Sequence, residues 1–135
     1  MAVEYVAQTQ VVEPGENIIF AFSIPEFGAK GIRRRAGSGI VTLQGNPCGA
    51  DHIVRFTGNI AIAEGGTVGE ISAAITLDGE ILPASEMVVT PAAAEDLWNV
   101  SSQALFTSGC CCASVSVRNT SDQPITVQSG NLIVE

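Results

Sequence analysis

The sequence predicts an all-β protein, a sandwich or barrel of antiparallel strands built as one domain. Three observations carry this. Apolar residues recur with a period of two along almost the whole chain. Turn-forming residues separate the alternating runs at short intervals. Of the 135 residues 46% are hydrophobic and only 15% charged, too apolar for disorder and sufficient for a single core.

The elements follow in order. Ile18, Phe20, Phe22 and Ile24 alternate with smaller neighbours. Val54, Phe56, Ile60 and Ile62 share one face of the next long run, with Arg55, Thr57 and Asn59 on the other. Ile71, Ala73, Ile75 and Leu77 repeat the pattern, as do Trp98, Val100, Ala104 and Phe106, which places Trp98 in the core. Ala113, Val115 and Val117 follow, then Ile125 and Val127, then Leu132 and Val134. Each is a short run of the kind half-buried strands require, and about eight or nine such strands argue for a sandwich or barrel.

Between the runs stand Pro14-Gly15, Gly37-Ser38-Gly39, Asn46-Pro47, Gly65-Gly66, Asp78-Gly79 and Ser129-Gly130-Asn131, which supply the backbone freedom or constraint that turns use. Asp78-Gly79, between Leu77 and Ile81, is the best signal for a tight hairpin. Asn119-Thr120-Ser121-Asp122 with Gln123-Pro124 reads as a longer hairpin loop. Thr90-Pro91-Ala92-Ala93-Ala94-Glu95-Asp96 offers a cap, a proline and early acids, and reads as a single helical turn or an ordered loop.

Charge excludes several functions. The chain carries 14 acidic and 6 basic residues, net −8, which disfavours nucleic acid and anionic membranes as partners because both need basic surface. Arg33-Arg34-Arg35 is the local exception, read either as a solvated or ion-pairing run or as a basic contact patch. The stretch 97–117 is uncharged and long enough to span a bilayer. It contains Asn99, Gln103, five serines and Gly109, so a membrane helix is rejected. The N-terminus lacks the basic start and apolar stretch of a signal peptide, and synthesis in a cytoplasm is expected.

No catalytic constellation emerges. The single histidine, His52, lies beside Asp51 at a strand entrance, where an exposed position is expected; its closeness to Cys48 is weak evidence for a Cys–His pair. The carboxylates of Glu64, Glu70, Asp78, Glu80 and Glu86 have no paired spacing, and Gly37-Ser38-Gly39 leads into a strand rather than a phosphate-binding helix. Cys110, Cys111 and Cys112 are adjacent and Cys48 stands apart, without the spacing of a zinc site. Reduced buried thiols, a disulfide within or between chains, and a metal remain the three readings. No cofactor is expected.

The second half of the chain resembles the tumour-necrosis-factor-like, or complement-globular-head-like, jelly roll of short phage and bacterial proteins, which also forms the C-terminal domain of collagen-like spore-surface glycoproteins. The stretches that carry the resemblance are Phe56-Thr-Gly-Asn-Ile-Ala-Ile, Ile71-Ser-Ala-Ala-Ile-Thr-Leu-Asp-Gly-Glu, Ser114-Val-Ser-Val-Arg-Asn-Thr-Ser and Ile125-Thr-Val-Gln-Ser-Gly-Asn-Leu-Ile-Val-Glu. In that family a strand ending in Asn-x-Ser precedes a last strand with a Leu-x-Val ending, as at Asn119-Thr-Ser and Leu132-Ile-Val. The resemblance covers residues 55–135 well and the N-terminal third by strand count alone.

It implies an antiparallel jelly roll of roughly ten strands assembled as a homotrimer. Small residues on both faces of the Ser101–Phe106 and Ala113–Val117 runs agree with strands buried on two sides. Cys110, Cys111 and Cys112 would then lie near the three-fold axis. Unlike spore-surface members, the chain carries no Gly-X-Y stalk. The expectation is a non-enzymatic structural protein of a phage or phage-like particle, a trimeric capsid decoration or head-fibre-like module on the virion surface whose partners are itself and capsid or other virion proteins. Residues 1–12 form either a particle-contact arm, led by Met1, Ala2, Val3, Glu4 and Tyr5, or simply the first strand. The alternative is a receptor- or glycan-binding module using the loops at 27–37 and 82–96.

Overall fold

The computed structural model describes residues 3–24, 32–35, 39–44, 51–107 and 112–135, and within these the side chains of Arg33, Arg34, Arg35, Gln44, Phe106 and Cys112 are not described. Among these residues, twelve strands form two six-stranded antiparallel sheets, and one 3-10 turn lies at Pro83–Ser85.

The first sheet contains β1 (Val3–Ala7), β2 (Gln10–Val12), β3 (Phe22–Ile24), β6 (Asp51–Ile62), β10 (Trp98–Thr107) and β12 (Ile125–Val134). Its order is β10-β6-β12-β1-β3, with β2 pairing the start of β12. The second sheet contains β4 (Ile32–Arg35), β5 (Ile40–Gln44), β7 (Ile71–Leu77), β8 (Glu80–Ile81), β9 (Met87–Val89) and β11 (Cys112–Asn119). It runs β4-β5-β11-β7-β8, with β9 also pairing β7. Consecutive strands repeatedly fall in different sheets, as a jelly roll requires. The all-β expectation holds.

Period two sets what each strand buries. In β1, Val3, Tyr5 and Ala7 face inward; in β6, Val54, Phe56, Ile60 and Ile62 do so, as the sequence pattern predicts. They meet Val41, Leu43, Ile71, Ile75 and Val115 from the second sheet in one continuous core. Each of these larger side chains contributes about 1.5–3 kcal/mol by leaving water. The Asp78-Gly79 turn is where the sequence puts it: both residues have positive φ, 52° and 83°, as a type I′ hairpin requires, and Leu77 pairs with Glu80. The Asp78 carboxylate also accepts a 2.9 Å bond from the Ser114 backbone N–H.

Three expectations need correction. The run from Ile18 to Ile24 is not one strand with one buried face: Ile18 and Phe20 are buried, but so is Ser23, while Phe22 and Ile24 point out. The chain changes sheets here. Ile18 N–H donates to Val117 of β11, and Ala21 N–H donates to Val6 of β1, so the inward side slips by one residue as the segment crosses. Phe20 closes this crossing against Tyr5, ring centroids 6.4 Å apart and tilted by 55°.

Trp98, expected in the core, is 45% exposed, because it opens an edge strand at the end of the sandwich and little lies over it. His52, expected to be exposed, is buried, because it shares the inward phase of Val54 and Phe56. Its Nδ1 lies 3.1 Å from the carbonyl of Glu135. The stretch from Thr90 to Asp96 is an ordered loop without helix, anchored where Glu95 N–H donates to the Ile62 carbonyl.

Phe56 shows how β6 and β12 are matched. A register shift between Val127 and Ser129 leaves Gln128 bulged, and just beyond it Gly58 lies opposite Gly130. A Cβ on Gly58 would sit 2.9 Å from the Phe56 ring and 3.0 Å from the Ser129 carbonyl; one on Gly130 would sit 3.2 Å from the same ring. Two glycines therefore make room for one aromatic side chain. Gly58→Ala is expected to cost about 1–3 kcal/mol by overpacking. Urea unfolding should also find that Phe56→Leu, added to Gly58→Ala, costs less than it does alone.

Candidate assembly face

The inward residues of the first sheet are covered by the second; its outer face has no layer above it among the described residues. Backbone register lays out this face in rungs. One runs Ile24, Glu4, Ile133, Arg55, Gln103 across β3, β1, β12, β6 and β10. The next runs Phe22, Val6, Asn131, Thr57, Ser101, and a third carries Ser129, Asn59 and Asn99. Beyond the first rung, Ile53 lies opposite Leu105.

Apolar side chains gather at the two edges. Phe22 and Ile24 on β3 are 44% and 56% exposed, and Leu105 on β10 is 70% exposed. Between them Val6, Ile53 and Ile133 are half-buried, and polar side chains hydrogen-bond to one another. Asn99 Nδ2 donates to Asn59 Oδ1 at 3.0 Å, and Asn59 Nδ2 donates to Gln128 Oε1 at 3.4 Å. Arg55 Nη1 meets Glu135 Oε1 at 3.0 Å, a half-exposed pair worth about 0–1 kcal/mol. Shallow hollows among the described residues dent the surface: about 430 Å³ beside Arg55, Thr57 and Ser101, about 350 Å³ beside Ile53, Gln103 and Leu105, and about 260 Å³ above Gly58 and Asn99. A face with apolar rims, a hydrogen-bonding centre and side chains held by backbone register is suited to contact with another protein surface.

The residues singled out from sequence fall in several places. Val3, Glu4 and Tyr5 lie in β1, between β12 and β3, with Val3 and Tyr5 in the core and Glu4 on the open face. Met1 and Ala2 lie outside the described residues. Arg33, Arg34 and Arg35 lie on β4, the edge of the second sheet, paired with Thr42, Val41 and Ile40. Cys112 opens β11 opposite Gln44; Cys110, Cys111 and Cys48 lie outside the described residues. Among the described residues no group of three or more His, Cys, Asp or Glu converges to hold a metal.

Leu105, Ile53, Ile133 and Val6 also lie on this face, at positions that no sequence motif marks. Their signal was phase: each is apolar on the side of its strand that should face water.

No family model matches this chain, and no curated protein matches it in sequence. Solved structures do match in fold. Murine APRIL is 11% identical with a TM-score of 0.66, the match covering 99% of this chain and 98% of that one. The Eiger TNF of S. frugiperda is 12% identical with a TM-score of 0.69 over 100% and 91%. Rabbit GITRL, 12% identical, matches with a TM-score of 0.50 over 91% and 90%. The fold is a tumour-necrosis-factor-like jelly roll.

Proposed function

From a tumour-necrosis-factor-like jelly roll with one open sheet face, we propose a non-enzymatic structural module that assembles as a homotrimer on the outside of a phage or phage-like particle. The observation that carries this is the open face of the first sheet. Along β10-β6-β12-β1-β3 its most exposed apolar residues lie at opposite edges, Leu105 at one and Phe22 with Ile24 at the other, while Val6, Ile133 and Ile53 between them are half-buried. That layout suits a head-to-tail contact, in which the β10 edge of one copy lies on the β3 and β1 side of the next. Rotation by one third of a turn closes such a contact into a ring and leaves no unpaired face. The resemblance to the tumour-necrosis-factor-like family supports the same assembly.

Attachment to a particle then works by avidity, since three weak contacts on a symmetric lattice act as one strong one. Arg33, Arg34 and Arg35, on an edge strand away from the open face, together with Met1 and Ala2, are the proposed contacts with capsid or other virion proteins. Net charge −8 supports a surface that avoids nucleic acid and membranes. The protein is made in the host cytoplasm and resides on the virion surface.

Light scattering behind a sizing column tests the assembly: the expected mass is about three times 14.0 kDa. Leu105→Arg should give a folded 14.0 kDa monomer with unchanged far-ultraviolet circular dichroism. That monomer should bind purified particles at least about a hundredfold more weakly than the trimer. A monomeric parent protein would sink the assembly. Particles that retain the Leu105→Arg monomer as well as the trimer would sink the avidity argument.

A further inference from the structure

We infer that Trp98 and Asp96 form a binding site for a neutral hexopyranose, separate from the proposed assembly face. Trp98 is the chain's one tryptophan and is 45% exposed, beside Leu97 at 43%. It stands in the inward phase of β10, opposite to Leu105, and reaches water only because the strand starts at the end of the sandwich. The indole at that end adds little to the core and, pointing to the other side of β10 from Leu105, takes no part in the open sheet face.

The ring is held in place. Its Nε1–H donates to Asp96 Oδ2 at 3.3 Å. Asp96 in turn follows Glu95, whose φ of 65° is unusual for a residue with a side chain and whose N–H is tied to the Ile62 carbonyl at 2.9 Å. Asp96 N–H bonds back to the Ala93 carbonyl, and Ala94 packs against the core. The strained, anchored loop thus sets a carboxylate at the rim of a flat aromatic surface.

That pair fits a sugar better than other small ligands. The ring face of the indole is electron-rich and attracts the weakly positive axial C–H groups on the apolar side of a pyranose. The Asp96 carboxylate uses one oxygen on the indole and has free lone pairs to accept sugar hydroxyls. Anionic sugars and phosphates are disfavoured, because Glu95 and Asp96 are exposed beside the ring and the chain is net −8. A quaternary ammonium ligand is usually enclosed by several aromatic rings, and this site offers one.

Because Trp98 is the only tryptophan, its fluorescence reports the site directly. The intact protein is titrated with methyl glycosides of glucose, galactose, mannose and N-acetylglucosamine, and with choline as a cation control. The expected result is a saturable change in emission with at least one glycoside in the millimolar range. Asp96→Ala should weaken it about tenfold while leaving the melting temperature unchanged, since the charged carboxylate that accepts the sugar hydroxyls is lost. The inference is overturned by a response to choline alone or by no response to any glycoside. It is overturned equally if acrylamide cannot reach the indole until the protein is diluted to monomer, which would make Trp98 a subunit contact.

Discussion

Gly39→Ala should destabilise the protein by about 3–4 kcal/mol, roughly 10 °C in melting temperature for a domain of this size. Two causes add. Gly39 has φ +69°, a conformation that costs a residue with a side chain about 1–2 kcal/mol. A Cβ there would also lie 2.2 Å from the Ile18 carbonyl oxygen and 3.1 Å from the Asn17 Cβ. Neither neighbour can give way easily. The Ile18 side chain is fully buried and its N–H is bonded to Val117 at 2.8 Å, while Asn17 bridges Arg118. The control is Gly15→Ala, with φ +79° and nothing within 4 Å of a new Cβ, where only the conformational part, about 1 kcal/mol, should be lost. Equal melting temperatures for the two variants would mean that the crossing segment relaxes and that the close approach costs nothing.

Asn119→Asp should be at least as damaging, at about 3–5 kcal/mol, and worse than Asn119→Ala. Asn119 is fully buried at the end of β11 and joins three segments. Its Nδ2 donates to the Val12 carbonyl at 2.9 Å and to the Gln123 carbonyl at 3.0 Å, and its Oδ1 accepts from Ser121 N–H at 2.8 Å. Its backbone carbonyl accepts from Gly15 N–H and its N–H donates to the Glu16 carbonyl, both at 2.9 Å. Alanine removes the side-chain bonds and leaves two buried carbonyls short of a donor. Aspartate keeps the acceptor but turns a second oxygen, and a charge, toward those carbonyls. Urea unfolding of the three proteins should rank them Asn, Ala, Asp in falling stability. An Asp variant as stable as the parent would mean that water or backbone movement satisfies the site.

These two positions also mark what could be read from the chain directly. Gly39 belongs to a predicted turn and Asn119 to a predicted hairpin loop, but neither the Ile18 carbonyl over Gly39 nor the bond from Asn119 to Val12 follows from local pattern. Each joins residues far apart in sequence. The open face is half legible in the sequence: alternation puts Arg55, Thr57 and Asn59 on the outer side of their strand, whereas no local motif marks Leu105.

By itself the sequence determined the all-β class, the inward faces of β6 and β7 and the hairpin at Asp78-Gly79. These depend on the alternation of side chains along a strand and on the φ values a turn demands, both properties of neighbouring residues. Only the tertiary structure decided that Ile18 to Ile24 changes sheets, that His52 is buried and that Trp98 meets water. It also decided which sheet keeps an uncovered face. Alternation assigns a residue to a side of its strand, but whether that side is covered depends on what the rest of the chain lays over it.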